Sequence, residues 1–148
     1  MKLWRRRQPV GDRQQLAEET VRRAQQEVHH FRQYLDLVAE TAAMLRRYGL
    51  GQTLAYLQMR SGGRADSPFT FVYQQLQDHL RRSPGFRGKD VLAYLTQEDS
   101  TTYLRLSREA LAFSDLWVKA ARSVQKGTQK DAKATRATGP QVEGETSV

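Results

Sequence analysis

The chain has 148 residues, no cysteine and a formal net charge of +8, a size that suits one domain with its own core. Without cysteine, disulfide frameworks, thiol catalysis and cysteine-ligated zinc are excluded. No run approaches the ~20 apolar residues of a membrane span, and no apolar segment follows the basic N-terminus as in a secretory signal, so a cytoplasmic protein is expected.

The positive charge is unevenly distributed. Residues 1–11 carry +4 and are predicted to form a flexible basic arm, residues 12–123 carry +3, and residues 124–148 carry +1. A body with this little net charge differs from a histone-like polycation. Local arginine clusters and the arm would therefore have to hold any bound polyanion.

The first predicted element is long. No proline or glycine interrupts residues 12–48, and apolar residues recur there at intervals of three and four: Ala17, Val21, Ala24, Val28, Phe31, Leu35, Val38, Ala42 and Leu45. This spacing predicts one long helix, or two nearly collinear helices that are broken near His29–His30.

The helix is predicted to end in the stretch "RRYGLGQT". Arg46 and Arg47 fall in the last turn, where cations suit the helix dipole, and Gly49 stands where a left-handed residue would end the helix. The glycines do not form a nucleotide loop, because they follow a helix and lack Gly-Lys-Ser/Thr and a third glycine. Free N–H groups near Gly51 would suit an anion; a solvated corner is the alternative, and both stay open.

Three short helices and one long helix follow. The short ones are predicted at 51–60, from Ser67-Pro68 to about 82, and at 89–96, with serine as N-cap and proline at the first helical position of the second. The last helix is predicted at 100–123, and residues 124–148 as a disordered tail with few large apolar residues. With no strand-like alternation, the fold is predicted to be all-α: a compact bundle of about five to six helices, two long ones framing three short ones.

The histidines and acidic residues suggest no catalytic or metal site. Adjacent helical residues point about 100° apart, so His29 and His30 cannot chelate one metal ion. A solvated surface position is favoured over metal binding for them and for His79. No spacing identifies a catalytic triad. We therefore predict no catalytic residue, no metal, no cofactor and no enzymatic activity.

The last helix carries a second row of residues opposite its apolar seam. The row is Arg105, Arg108, Ala112, Asp115, Lys119 and Arg122. Asp115 is expected to pair with Lys119 four residues later. An ordinary solvated face would explain this row by itself, but Arg60 and Arg64 beside a glycine loop favour a polyanion surface. Trp117, Phe113 and Tyr103 lie on the seam and are predicted to be core.

Two stretches resemble a known family. "GLGQTLAYLQ" (49–58) and "DSTTYLRLSREALAFSDLWVKAA" (99–121) are similar to segments of the small helical subunit of type III-B CRISPR (Cmr) effector complexes. The matching positions are Gly49 to Leu57, Asp99, Ser100, Tyr103, Arg108, Glu109, Ala110, Leu111, Trp117 and Lys119. In layout the resemblance covers residues 12–122.

The resemblance implies a function and partners. Such subunits stack beside the guide RNA–Cas backbone, line the channel that holds target RNA, and carry no nuclease site. The implied partners are guide and target RNA, other subunits of the complex and neighbouring copies. Phosphates would be contacted without sequence specificity by eight cations: Arg46, Arg47, Arg60, Arg64, Arg105, Arg108, Lys119 and Arg122. A helical protein–protein adaptor with incidental basicity is the chief alternative, and a small enzyme is a third.

Overall fold

A computed structural model describes the backbone of residues 10–83, 86, 90–97 and 100–146, and the side chains of 13–83, 86, 90–95 and 100–127. The described backbone forms six helices: α1 (Val10–Glu27), α2 (Phe31–Tyr48), α3 (Leu50–Ser61), α4 (Pro68–Arg81), α5 (Val91–Gln97) and α6 (Ser100–Thr146). The predicted all-α bundle is confirmed, and the described backbone contains no strand. The predicted arm, 1–11, lies almost wholly outside this set, although Val10 and Gly11 already belong to α1.

The first apolar seam is divided between two helices. α1 ends at Glu27 and α2 begins at Phe31 after a non-helical His30 (φ −111°, ψ 66°), so a single long helix was the wrong alternative. Both halves of the seam are buried all the same, as Val21 and Val38 show. Each helix packs mainly against α6 and touches the other little. The break thus allows both seams to be covered by α6.

The last helix is longer than predicted. α6 continues to Thr146, so the predicted end of the last helix near residue 123 is wrong. The glutamines, lysines, alanines and arginine after Val124 are good helix formers, but Gly139 and Pro140 are not, so local propensity does not explain why the helix continues past them. Val124, which the sequence pattern placed at the end of the apolar seam and the predicted boundary placed at the start of the tail, packs partly against the core.

The start of α4 follows the predicted pattern. Ser67 caps the helix, and its Oγ accepts a hydrogen bond from the backbone N–H of Phe69 at 3.2 Å. Pro68 opens the helix, where its missing N–H is no loss. The preceding Gly62 adopts the left-handed conformation that ends α3 (φ 56°, ψ 24°).

A series of hydrogen bonds through the core joins four helices. Trp117 on α6 is fully buried, and its Nε1–H donates to the hydroxyl of Tyr34 on α2 at 3.0 Å. That hydroxyl donates to Oε1 of Gln75 on α4 at 2.6 Å, and Gln75 Nε2 donates to the carbonyl of Thr20 on α1 at 2.9 Å. Burial raises the pKa of Tyr34 more than its hydrogen bonds lower it, so its hydroxyl remains a donor. The predicted core positions of Trp117 and Phe113 are confirmed.

Candidate nucleic-acid interface

The outward face of α6 carries a row of cations, as the sequence pattern predicted. α1 and α2 cover the opposite side of the helix, where Leu106 and Trp117 are buried. The four basic members of the row are all exposed: Arg105, Arg108, Lys119 and Arg122. We call these four residues the α6 row. Because the core fixes the rotation of α6, the row is held towards solvent.

Residues of α1 border the α6 row. Arg105 and Arg108 line a hollow of about 680 Å³ together with Arg13 of α1. Further along, Lys119 lines a second hollow of about 490 Å³ together with Arg22 of α1. Charges of both signs therefore border the α6 row, because Arg13 is paired with Glu109 and Glu18 lines the second hollow beside Arg22.

Asp115, in the middle of the α6 row, pairs with a different residue from the one predicted. Its Oδ1 lies 2.8 Å from Nη2 of Arg46 at the end of α2, instead of pairing with Lys119. Both side chains are more than half exposed, so the pair contributes little stability. Its consequence is spatial: it joins the α2–α3 corner to the α6 row as one surface.

The two glycines of the corner serve the fold. Gly49 has φ 88° and ψ 172°, which is not the left-handed helical conformation predicted but an extended one open essentially to glycine alone. The Gly51 N–H donates to the hydroxyl of Tyr103 at 3.2 Å. Thr53 Oγ1 donates to the Gly49 carbonyl at 2.7 Å. The Gly51 N–H, which the sequence suggested as part of an anion site, thus already donates to an acceptor within the protein.

A groove opens beside this corner, and we call it the corner groove. It has a volume of about 900 Å³ and is lined by Glu40, Ala43, Met44, Arg46, Arg47, Tyr48, Gln52, Thr53 and Tyr56. Tyr48 is 54% exposed, and the sequence analysis missed it as a functional candidate. The available signal in the sequence was an aromatic residue that directly follows two arginines and lies off the apolar seam that contains Leu45.

Arg60 and Arg64 lie apart from the other candidates. Arg60 is in the last turn of α3, ~15 Å from the corner at ~1.5 Å per residue. Its guanidinium lies over the ring of Phe69, 5.1 Å from the centroid, and both arginines are exposed. The fold therefore groups Arg46 and Arg47 with the α6 row and leaves Arg60 and Arg64 as a separate patch.

The family model described as CRISPR-associated protein (Cas_Cmr5) matches residues 11–124, which include the corner and the α6 row. The chain belongs to the Cas_Cmr5 family. The predicted resemblance is confirmed, and membership implies association with other subunits of a CRISPR Cmr complex. No curated protein matches the chain.

The residues that carry the Cas_Cmr5 resemblance are mainly structural in this chain. Gly49 and Gly51 shape the corner, and Tyr103 closes it from α6. Leu54 is fully buried, and Trp117 begins the hydrogen-bond series through the core. In this chain these motif residues therefore stabilise the fold, while most of the candidate cations lie outside the two stretches.

The Cas_Cmr5 chain also contains a buried polar cluster that the sequence analysis misjudged. His79, predicted to be on the surface, is 6% exposed, and its ring stacks on Phe113 with the centroids 4.0 Å apart. Its Nε2 lies 2.9 Å from Oε1 of Glu109, and Arg13 binds both oxygens of that carboxylate at 3.0 and 3.2 Å. α6 covers His79, and the sequence pattern of α4 alone could not indicate this burial.

The described part of the chain lacks two kinds of feature. Its side chains contain no group of three residues arranged to hold a metal ion. None of its helices is both long enough and apolar enough to cross a membrane.

Glu109 makes stability depend on pH. Its pKa is lowered, chiefly by the hydrogen bond from His79 and also by Arg13, although burial acts in the opposite direction. A lowered folded-state pKa stabilises the protein above the unfolded value, and this stability is lost as pH falls through the folded value. We expect the thermal midpoint to fall as the solution is acidified below the ordinary glutamate pKa of 4.5.

A pair of variants isolates the contribution of Glu109. Glu109→Gln should have a lower midpoint at neutral pH and a flatter acid dependence, because its amide cannot titrate. Glu27→Gln, at the exposed end of α1, should keep the wild-type dependence. Calorimetry from neutral pH to below 4.5 measures both, and equal acid dependence of Glu109→Gln and wild type would contradict this assignment.

Proposed function

We propose that this Cas_Cmr5 protein is a non-catalytic structural and RNA-binding subunit of a type III-B effector complex that lines the guide/target RNA channel. The observation that carries the proposal is the α6 row, which Asp115 joins to Arg46 at the end of α2, next to Arg47. These cations are all exposed and are held opposite the core. A strand laid along α6 would meet them in succession.

The dimensions of the α6 row suit a phosphate backbone. From Arg105 to Arg122 the helix rises ~25 Å at ~1.5 Å per residue. One strand of a B-form DNA duplex carries a phosphate about every 3.4 Å along its axis, and on that scale the row spans roughly seven phosphates. Binding of this kind releases counterions and positions a strand without identifying its bases.

Contacts with protein neighbours form the second part of the proposal. Met59 is 70% exposed and Leu104 is 53% exposed, and a neighbouring subunit that covered them would bury their apolar area. We assign them to neighbouring copies or other subunits. A helical adaptor with incidental basicity would use these contacts and leave the α6 row in solvent, so the two functions differ in whether the row binds RNA.

Salt dependence of RNA binding tests the proposal. On a single strand, each neutralised phosphate contributes about −0.7 to the slope of log affinity against log salt. With three to five cations engaged, we expect a slope of roughly −2 to −3.5. Replacing Arg105, Arg108 and Arg122 together with alanine should flatten it by up to ~2. The fold should survive, because all three side chains point away from the core.

A charge-matched control separates position from net charge. Arg23, Arg32 and Arg82 are also exposed, and their triple alanine variant loses the same charge outside the α6 row. Both variants are compared with wild type after removal of residues 1–9, whose basic side chains would contribute, and the recovered RNA is checked for cleavage. Equal slopes for the two triple variants would favour the adaptor, and cleaved RNA would contradict a non-catalytic subunit.

A further inference from the structure

We propose that the corner groove binds one unpaired RNA nucleotide, with its base stacked on Tyr48 and its phosphate on Arg47. This inference rests on the proposed function and adds a ligand form to it: single-stranded RNA, held at one defined position. The sequence analysis assigned phosphate contacts alone, without aromatic partners.

The exposure of Tyr48 is the first observation. The large hydrophobic side chains that stand exposed in the described part of the chain are Tyr48, Met59 and Leu104, and Tyr48 is the aromatic one. It lines a groove of about 900 Å³, within the ~300–1,000 Å³ typical of sites for small organic ligands. An accessible ring in a groove of this size offers a stacking surface.

The walls of the groove are fixed by the core beneath them. Tyr56 packs edge-to-face on Phe69, with the centroids 6.4 Å apart. Thr53 is buried and bonded to the Gly49 carbonyl, and Gly49 holds the turn that follows Tyr48. A ligand that enters the groove therefore meets a preformed surface, which lowers the entropy lost on binding.

Charge places the phosphate at one end of the groove. Arg46 is occupied by Asp115, whereas no ion pair described in the structure includes Arg47. The groove also contains Glu40, which lies ~12 Å from Tyr48 along α2 at ~1.5 Å per residue. Because a carboxylate repels phosphate, the phosphate is favoured beside Arg47, and Gln52 offers an amide to the base edge.

The stacking surface selects for unpaired RNA. In a duplex both faces of each base are covered by its neighbours, so a tyrosine ring can stack only on a base that has left the helix. Every base has a π-face, and such stacking therefore tolerates any sequence. The groove would hold a single-stranded nucleotide whatever its base.

The experiment measures binding of the full chain to labelled single-stranded homopolymeric RNA and to an RNA duplex of equal length. Stacking contributes ~1–3 kcal/mol per base, so Tyr48→Ala should weaken single-strand binding about tenfold and leave duplex binding unchanged. Tyr48→Phe should retain the affinity. The slope of log affinity against log salt should not change in Tyr48→Ala. In Arg47→Ala the slope should become flatter by ~0.7.

Gln33→Ala is the control, because it removes an exposed side chain of α2 that does not line the groove, and it should leave both affinities unchanged. If Tyr48→Ala binds single-stranded RNA as tightly as wild type does, the inference about the corner groove is wrong. If the triple alanine variant of the α6 row nevertheless loses affinity, the proposed RNA-binding function is still supported. Equal losses on single strand and duplex also overturn the inference about the corner groove. The inference is also wrong if Tyr48→Ala binds RNA normally but no longer assembles with other subunits, since the groove would then bind a protein.

Discussion

Trp117→Ala is expected to lower the free energy of unfolding by about 3–5 kcal/mol. Trp117 is fully buried, and its ring packs on Phe113 and Tyr34 with centroids 5.1 and 6.4 Å away. Its removal leaves a large cavity between α2 and α6 and takes the N–H donor from the Tyr34 hydroxyl. Equilibrium denaturation in urea, monitored by circular dichroism, measures the loss.

Two milder variants separate volume from hydrogen bonding. Trp117→Phe keeps most of the ring but removes the donor, and Tyr34→Phe keeps the ring but interrupts the series to Gln75. Each should cost less than the alanine variant, with Tyr34→Phe near ~1–3 kcal/mol because buried partners lose their hydrogen bonds. If Trp117→Ala were as stable as wild type but bound RNA less tightly, the side chain would be a stacking platform.

Gly49→Ala is expected to lower the free energy of unfolding by ~1–3 kcal/mol through backbone strain alone. The conformation of Gly49, with φ 88° and ψ 172°, is one that residues with a Cβ rarely adopt. That Cβ would also lie 3.3 Å from the hydroxyl of Tyr103, the acceptor for the Gly51 N–H. The cost of backbone strain at residue 49 and the cost of displacing this hydroxyl therefore add. The same denaturation experiment measures the sum of the two losses.

Gly51 provides the matched control two residues away. It is helical, and an added Cβ would meet the Tyr103 hydroxyl at an ordinary 3.6 Å. Alanine is favoured over glycine inside a helix by about 1 kcal/mol, so Gly51→Ala should be neutral or stabilising. Comparable losses at Gly49 and Gly51 would show that crowding against Tyr103, and not backbone conformation, controls the corner.

Much of this fold follows from local pattern in the sequence. Apolar residues at intervals of three and four mark the buried side of each helix, because residues so spaced share one face. The pattern therefore identified Phe113 and Trp117 as core and placed Arg105 and Arg108 on the outward face of α6. Ser67 and Pro68 likewise began α4 through capping interactions that span only two residues.

Tertiary structure decided which helix covers each face and which charges meet. Asp115 pairs with Arg46, which lies 69 positions away in sequence, and not with the nearby Lys119. His79 is buried because α6 brings Glu109 and Phe113 over it, and Tyr48 gains a groove only where α3 turns back beside α2. A helical repeat specifies the buried side of a helix but not its neighbour, so contacts between distant segments required the packed molecule.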